Sequence, residues 1–233
     1  MKRIIISIVI AGLVFLANNG VAGTAEQKGS EIKKEGSPPP VKFNPPMLGK
    51  PGKRIGGGTR GYSVTDIKLV AFVPDRIGIT SSSEPSLCWY LSQPTNIRME
   101  ITLDDGKSIK PIYQQTINKP GKTGIQCMSL AGTGTKLQPS IEYQWFVAII
   151  PDAGQRSKDI LSGGSIMLKV PSDELTKKFA AAKGIELVSA YAENGYWYEA
   201  IGRAVVLLEQ NPSDEVMTRT VSGLLKQAGL PVF

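Results

Sequence analysis

Hydrophobic side chains recur at every second residue through the middle of this 233-residue chain. From 97 to 103, apolar residues alternate with Arg98, Glu100 and Thr102, and an Asp-Gly turn signal follows at 105–106. A period of two places alternate side chains on opposite faces of a β-strand. Seven such runs occur, at 67–73, 87–91, 97–103, 109–117, 125–130, 143–149 and 166–170. Their spacing predicts an antiparallel β-sandwich of immunoglobulin or fibronectin type across residues 63–171.

The hydrophobic period becomes helical after Pro171. An apolar stripe at Leu175 and Phe179 follows the acidic first turn Ser172-Asp173-Glu174, which favours a helix N-terminus. Further helical segments span 185–194 and 196–210, and the pair Asn211-Pro212 predicts the start of a fourth helix. We therefore expect a C-terminal appendage of about four helices over residues 172–233.

The segment 1–23 has the three-part layout of a secretory signal peptide. The basic pair Lys2-Arg3 precedes an apolar run at 4–16, which is shorter than the roughly 20 residues of a membrane span. An uncleaved N-terminal anchor is the alternative interpretation. Cleavage after Gly23 would remove two cations and no acid, so it lowers the net charge of +7 by two. We expect a periplasmic or extracellular protein whose mature chain has no transmembrane segment.

The chain contains no histidine. This absence excludes Ser-His-Asp and Cys-His catalysis and histidine-ligated zinc, and two cysteines are too few for a cysteine-only zinc site. We expect no enzymatic activity, no cofactor and no metal. A catalyst that uses two carboxylates alone, as glycosidases do, is the remaining enzymatic hypothesis. Nucleic acid is not an expected partner, because no basic helix is interleaved with aromatic residues.

The two cysteines, Cys88 and Cys127, lie on the second and fifth of the predicted strands. In a sandwich of this order those strands are neighbours in one sheet, so we predict a disulfide between them. Export would place the pair in an oxidising compartment, where such a bond persists. Two buried free thiols are the alternative.

Residues 24–50 are poor in apolar side chains and rich in Lys, Glu, Gly and Pro, which predicts a disordered or polyproline-like tether. A segment rich in Gly and Arg follows at 51–62. Its glycines permit close backbone approach, and a row of N–H groups between two arginines could bind an anion or a partner. The residues of this candidate site are Arg54, Gly56, Gly57, Gly58 and Arg60. A purely structural loop is the alternative.

The second and third predicted helices resemble a single tetratricopeptide repeat. Leu187, Tyr191, Gly195, Ala200 and Pro212 fall at the spacings of that repeat, whereas Val188 and Ala204 depart from it. One repeat cannot bury its own apolar face, so we expect the helices to dock on themselves or on the sandwich. Tyr196, which begins the third segment, is a candidate for binding a partner at the surface.

Several short segments together resemble one bacterial family. They are KRIGGGTRG at 53–61, LVAFVP at 69–74 with GIT at 78–80, YQWF at 143–146 with RS at 156–157, and AYA at 190–192 with WYEA at 197–200. The chain is similar, over about residues 50 to 228, to an exported family that is common in cyanobacteria and catalogued only as domain of unknown function number nine-two-eight. The family carries an aromatic residue where this chain has Cys88, so the resemblance does not imply the disulfide. It implies no activity either.

A tether, a sandwich and a helical appendage without a catalytic constellation indicate a non-catalytic exported envelope protein. We expect it to act in protein interaction or scaffolding, with other envelope proteins as partners. The alternative is a module that binds surface polysaccharide or an anion, with Arg54 and Arg60 meeting acidic groups and exposed aromatic residues stacking on sugar rings.

Overall fold

Eight strands and four helices follow one another along the chain in the computed structural model. It describes residues 39–46, 54–56, 67–117 and 122–233. The strands are β1 (Leu69–Ala71), β2 (Gly78–Thr80), β3 (Ser86–Leu91), β4 (Arg98–Asp104), β5 (Tyr113–Ile117), β6 (Gly124–Ser129), β7 (Glu142–Ile150) and β8 (Ile160–Leu168). The helices are α1 (Asp173–Ala181), α2 (Gly184–Glu193), α3 (Trp197–Gln210) and α4 (Glu215–Gln227).

The strands form two sheets that face each other. One sheet has the order β1-β3-β6 and the other the order β2-β8-β7-β4-β5. All neighbouring strands are antiparallel except β2 and β8, which are parallel. The alternating apolar residues of the strands are buried between the sheets, among them Leu87, Ile101 and Trp145. The predicted sandwich followed by a helical bundle is confirmed.

Strand β2 has no counterpart among the seven predicted runs. It is only three residues long, so it shows no measurable period, and its pairing with β8 is parallel and distant in sequence. Gly78 is required at its start, because a Cβ there would lie 2.6 Å from the ring of Tyr198. The packing of α3 against β2 therefore restricts residue 78 to glycine.

Two predicted strands have different bounds in the structure. The run 109–117 forms a strand only from Tyr113, because Pro111 lacks the N–H that a ladder needs, and Ile109 lies fully exposed in the preceding loop. The run at 166–170 begins earlier, at Ile160, where glycine and serine residues hide the apolar alternation. A 3-10 turn at Arg156–Lys158 leads into this strand.

The helix starts follow local capping chemistry. The predicted acidic first turn of α1 is present at Asp173 and Glu174, and the Ser172 side chain before it accepts a hydrogen bond from the Leu175 N–H at 3.3 Å. The predicted cap of the fourth helix at Asn211 is wrong. Asp214 caps α4 instead, since its carboxylate accepts from the N–H groups of Val216 and Met217. An aspartate is an equally good N-cap, and residues 211–214 form a turn before it.

Helix α3 enters the sandwich core with two aromatic side chains. The Trp197 indole donates to the Phe72 carbonyl at 2.8 Å, and the Trp145 indole donates to the Tyr198 hydroxyl at 2.8 Å. The Tyr198 hydroxyl in turn donates to the Ser165 carbonyl, at 3.3 Å. As a result, the apolar core is continuous from the sandwich into the helices, and the described residues belong to one compact unit, Ser37–Phe233.

A second, smaller cluster joins the helices to the outer face of the five-stranded sheet. Ile79 of β2 belongs to this cluster together with Phe179 of α1 and Ala190 of α2. Ile79 pairs with Met167 of β8, which packs against the same cluster. The helices therefore cover the β2–β8 end of that face.

The predicted tether at 24–50 is wrong for its described part. Val41 and Phe43 are buried, and the Phe43 ring lies 5.0 Å from the Trp197 ring. The Asn44 N–H donates to the Ala192 carbonyl at 3.0 Å, and the Gln227 side chain bonds the backbone at both Val41 and Phe43. Trp197 of α3 and Gln227 of α4 therefore fix this short stretch against the helices. The rest of 24–50 lies outside the described residues, as does the predicted signal peptide.

No helix within the described ranges is both long enough and apolar enough to cross a membrane.

We predict that Tyr198→Phe lowers the free energy of unfolding by about 1–3 kcal/mol, because it leaves the buried Trp145 N–H without an acceptor. Urea unfolding measured by tryptophan fluorescence and circular dichroism tests this. Tyr113→Phe, at a half-exposed strand position, is the control and should change stability by less than about 0.5 kcal/mol. Equal effects of the two substitutions would contradict the prediction.

Candidate functional site

The predicted disulfide is confirmed. Cys88 and Cys127 face each other in the register of β3 and β6, and their sulfurs are 2.01 Å apart. Cys88 is buried, whereas Cys127 is exposed on a strand whose only described neighbour is β3. The bond therefore fixes the register at one edge of the three-stranded sheet.

Arg54 contacts the end of a helix in this structure. Its Nη1 donates to the carbonyl of Ala228, the C-cap residue of α4, at 3.0 Å. A helix C-terminus carries partial negative charge, so a guanidinium is favourable there. The neighbouring Ile55 forms two backbone hydrogen bonds with Gly163 of β8, at 2.9 and 3.0 Å. These contacts are those of a structural element at the sheet edge.

The other predicted residues of the Gly/Arg site are three glycines and Arg60. Gly56 is exposed, and no atom lies within 4 Å of the position that its Cβ would take. Gly57, Gly58 and Arg60 lie outside the described residues. Anion binding by this segment stays a prediction.

Tyr196 is only 2% exposed. Its ring packs edge-on against Phe179 and Tyr191, with ring centroids 5.5 and 6.4 Å away. The prediction that Tyr196 binds a partner at the surface is wrong. The residue sits where α1, α2 and β2 converge, and this tertiary packing is not visible in its local sequence.

Glu199 joins α3 to the turn after β2. Its Oε1 accepts hydrogen bonds from the Thr80 hydroxyl at 2.6 Å and from the N–H groups of Ser81 and Ser82 at 3.0 and 3.2 Å. Its Oε2 is buried and has no hydrogen-bond partner in the described part of the chain. Burial raises the pKa of the Glu199 carboxyl, although the hydrogen bonds from Thr80 and Ser81 act in the opposite direction.

A groove of about 250 Å³ lies beside this carboxyl and is lined in part by Glu84 and Arg203. All three hydrogen bonds that Glu199 accepts come from the chain itself. Glu199 therefore fastens the helical appendage to the sandwich. The sequence offered no signal for this role, because a glutamate on an amphipathic helix is normally solvated.

A second buried carboxylate lies on the outer face of the five-stranded sheet. Glu100 of β4 is 2% exposed, and each of its oxygens is 3.1 Å from an arginine, Oε2 from Arg98 and Oε1 from Arg156. Arg156 also bonds Asp159 through Nε at 2.6 Å. The two arginines remain half-exposed, at 49% and 51%.

The electrostatics keep this cluster ionised. Burial alone would raise the pKa of Glu100, but hydrogen bonds from Gln114 and Arg156 and the charges of both arginines outweigh it and lower the pKa. Hydrogen bonds to Asp159 and Glu100 raise the pKa of Arg156. Such charge-assisted pairs hold both guanidinium groups in fixed positions.

The register places this cluster near the open edge of the sheet. Glu100 is opposite Ala148 of β7 on one side and Thr116 of β5 on the other. Arg98 also donates to the Thr116 hydroxyl at 3.1 Å. The alternation at 97–103 put Arg98 and Glu100 on one polar face, but only the tertiary structure adds Arg156 from the loop before β8.

Among the described residues, no three His, Cys, Asp or Glu side chains are grouped so that they could hold a metal ion.

Comparison with known proteins identifies a family but no individual relative. A family model described as Domain of Unknown Function (DUF928) matches residues 55–233. No curated protein matches the chain. The resemblance to one tetratricopeptide repeat stays a prediction, although α2 and α3 do form the expected helix pair.

We predict that Glu199→Gln reduces the loss of stability that occurs as the pH rises above the unfolded pKa of glutamate. Because the folded pKa of Glu199 is raised, its stabilising contribution is fully present below the unfolded pKa of about 4.3 and is lost as the pH rises through the folded pKa. Glutamine imitates the protonated carboxyl at every pH. Urea unfolding at pH values below and above the unfolded pKa tests the expectation, with Glu174→Gln on the exposed side of α1 as control. Equal pH slopes in wild type and Glu199→Gln would contradict it.

Proposed function

The chain belongs to the DUF928 family, and we propose that it is an exported, non-catalytic protein that binds other proteins of the bacterial envelope. The binding surface that we propose is the open face of the five-stranded sheet. This face is defined by the outward side chains of β7, β4 and β5.

The sequence of the N-terminal segment supports export. It has a basic start, an apolar run at 4–16 and small residues at 21–23. The Cys88–Cys127 bond is consistent with this, since disulfides persist mainly in oxidising compartments.

The distribution of covered and uncovered surface supports a binding role. The helices cover the outer face of the five-stranded sheet at β2 and β8, through Ile79 and Met167. Further along the same face, Arg98, Gln114 and Glu142 are exposed. Half-exposed arginines fixed by a buried carboxylate form a preorganised polar surface, and arginine is enriched where proteins bind each other.

The chemistry of this face supports a role without catalysis. Its buried carboxylate, Glu100, is held ionised by two arginines and has no raised pKa with which to act as an acid. The sequence contains no histidine to serve as a general base.

The alternative function, binding of polysaccharide or an anion by the Gly/Arg segment and exposed aromatic residues, has less support. Arg54 donates to the end of α4, and Tyr196 is buried. Ligand binding would need an arginine free to meet an acidic group and an exposed aromatic ring, and neither residue meets this requirement.

Export predicts a mature protein that begins after Gly23. Mass spectrometry of the protein from fractionated cells of a bacterium with this gene tests it. A variant with Ile8→Arg in the apolar run should stay unprocessed, because a charge in that run is unfavourable for insertion. Unprocessed wild-type protein in the cytoplasmic fraction would contradict export.

Binding through the open face predicts site-specific cross-linking in living cells. A photoreactive amino acid at Gln114 or Gln144 should give a covalent adduct with another envelope protein upon illumination. The same amino acid at Glu174, on the exposed side of α1, is the matched control and should give none. Absence of adducts from the sheet positions, or equal adducts from all three, would contradict the proposed surface.

A further inference from the structure

We propose that β5 pairs with an extended acidic segment of a partner protein, and that Arg98 binds a carboxylate of that segment. This inference rests on the proposed function and adds the chemistry of the partner. It concerns the edge of the five-stranded sheet and the arginine cluster beside it.

Strand β5 is a free edge within the described part of the chain. Its only described neighbour is β4, and Gln114 and Gln115 at its centre are exposed. An edge strand presents unpaired N–H and C=O groups, which proteins usually protect with lysine, proline or a charged side chain. The strand Tyr113–Ile117 contains no charged residue and no proline. It is therefore suited to accept another strand.

The strand register places a cation where an added strand would need one. Thr116 is on the outer face, opposite Glu100, and its hydroxyl accepts from Arg98 at 3.1 Å. A residue opposite Thr116 on an added strand would have its Cβ about 5 Å from that of Thr116. An aspartate or glutamate at this position reaches the Arg98 guanidinium.

Arg98 has donors left for such a carboxylate. Its Nη2 bonds both Glu100 and Thr116, whereas its Nε and Nη1 have no partner among the described residues. Glu100 pairs with both arginines and Asp159 pairs with Arg156, so the charges of this cluster balance, and Arg98 would bind an added carboxylate through its free donors. The pairing with Glu100 fixes the orientation of the guanidinium, which reduces the entropy lost on binding.

The other end of the edge favours a protein over a sugar polymer. Ile109, in the loop between β4 and β5, is fully exposed. From Tyr113 to Thr116 the strand extends about 10 Å, so an added strand could contact an apolar residue at one end and Arg98 at the other. A second copy of β5 would bring glutamine and threonine but no acid opposite Arg98, so self-pairing lacks this complementarity.

Isothermal titration of the mature chain with short blocked peptides tests the inference. The probe is a nine-residue peptide of alternating glutamate and valine, and the comparison peptides carry lysine in place of glutamate or proline at the centre. We expect the acidic peptide to bind, and Arg98→Gln to weaken its binding by about fivefold. Arg219→Gln, which removes an arginine that is 62% exposed on α4, should leave binding unchanged.

A second variant keeps the test decisive if Arg98→Gln unfolds, which circular dichroism would show. Gln114→Lys replaces the amide that hydrogen-bonds Glu100 with an ammonium group, which adds a positive charge on the outer face of β5 and should strengthen binding of the acidic peptide. Peptide binding that is unaffected by central proline would overturn strand addition. Polygalacturonate binding that depends on Arg98 and competes with the peptide would instead assign an acidic polysaccharide, and self-association abolished by Arg98→Gln would assign a second copy.

Different results would refute the acidic segment and the proposed function. Cross-linked adducts at Gln114 that persist in Arg98→Gln, without peptide binding, would leave the proposed function standing and refute the acidic segment. If the photoreactive amino acid at Gln114 or Gln144 gave no adduct in a chain that keeps Arg98, the proposed function itself would be refuted.

Discussion

The hydroxyl of Tyr198 connects the two halves of this protein. It accepts the indole N–H of Trp145 from the sandwich core and donates to the Ser165 carbonyl of β8, while its own backbone belongs to α3. The adjacent Trp197 bonds the Phe72 carbonyl in the same way. Buried polar groups are costly unless they are paired, so these aromatic residues specify one position of α3 against the sandwich.

This single docking position organises the surrounding surface. It brings Glu199 to the turn after β2, requires glycine at residue 78 and presents the Trp197 ring to Phe43. The helices cover one end of the five-stranded sheet and leave the other end open. The surface that we propose for binding is thus defined by where the helices do not pack.

Two arginines show how environment decides whether a guanidinium contacts a helix end or stays half-exposed. Arg54, which the sequence singled out because glycines surround it, donates to the end of α4. Arg98, a member of an alternating strand, is half-exposed beside a buried carboxylate and beside β5, which has no second neighbour among the described strands. The sequence indicated the polar face to which Arg98 belongs. It could not show Arg156 or the edge position of β5, because both depend on contacts between residues far apart in the chain.

The sequence by itself determined the features that arise from local periodicity and capping. Alternation identified seven of the eight described strands, the helical period identified all four described helices, and the acidic turn at 172–174 predicted the start of α1. Strand order even predicted the pairing of Cys88 with Cys127. Only the tertiary structure decided the short parallel strand β2, the burial of Tyr196, and the docking of residues 41–46. Each of these depends on a surface assembled from distant segments, and such a surface leaves no period in the residues that bind to it.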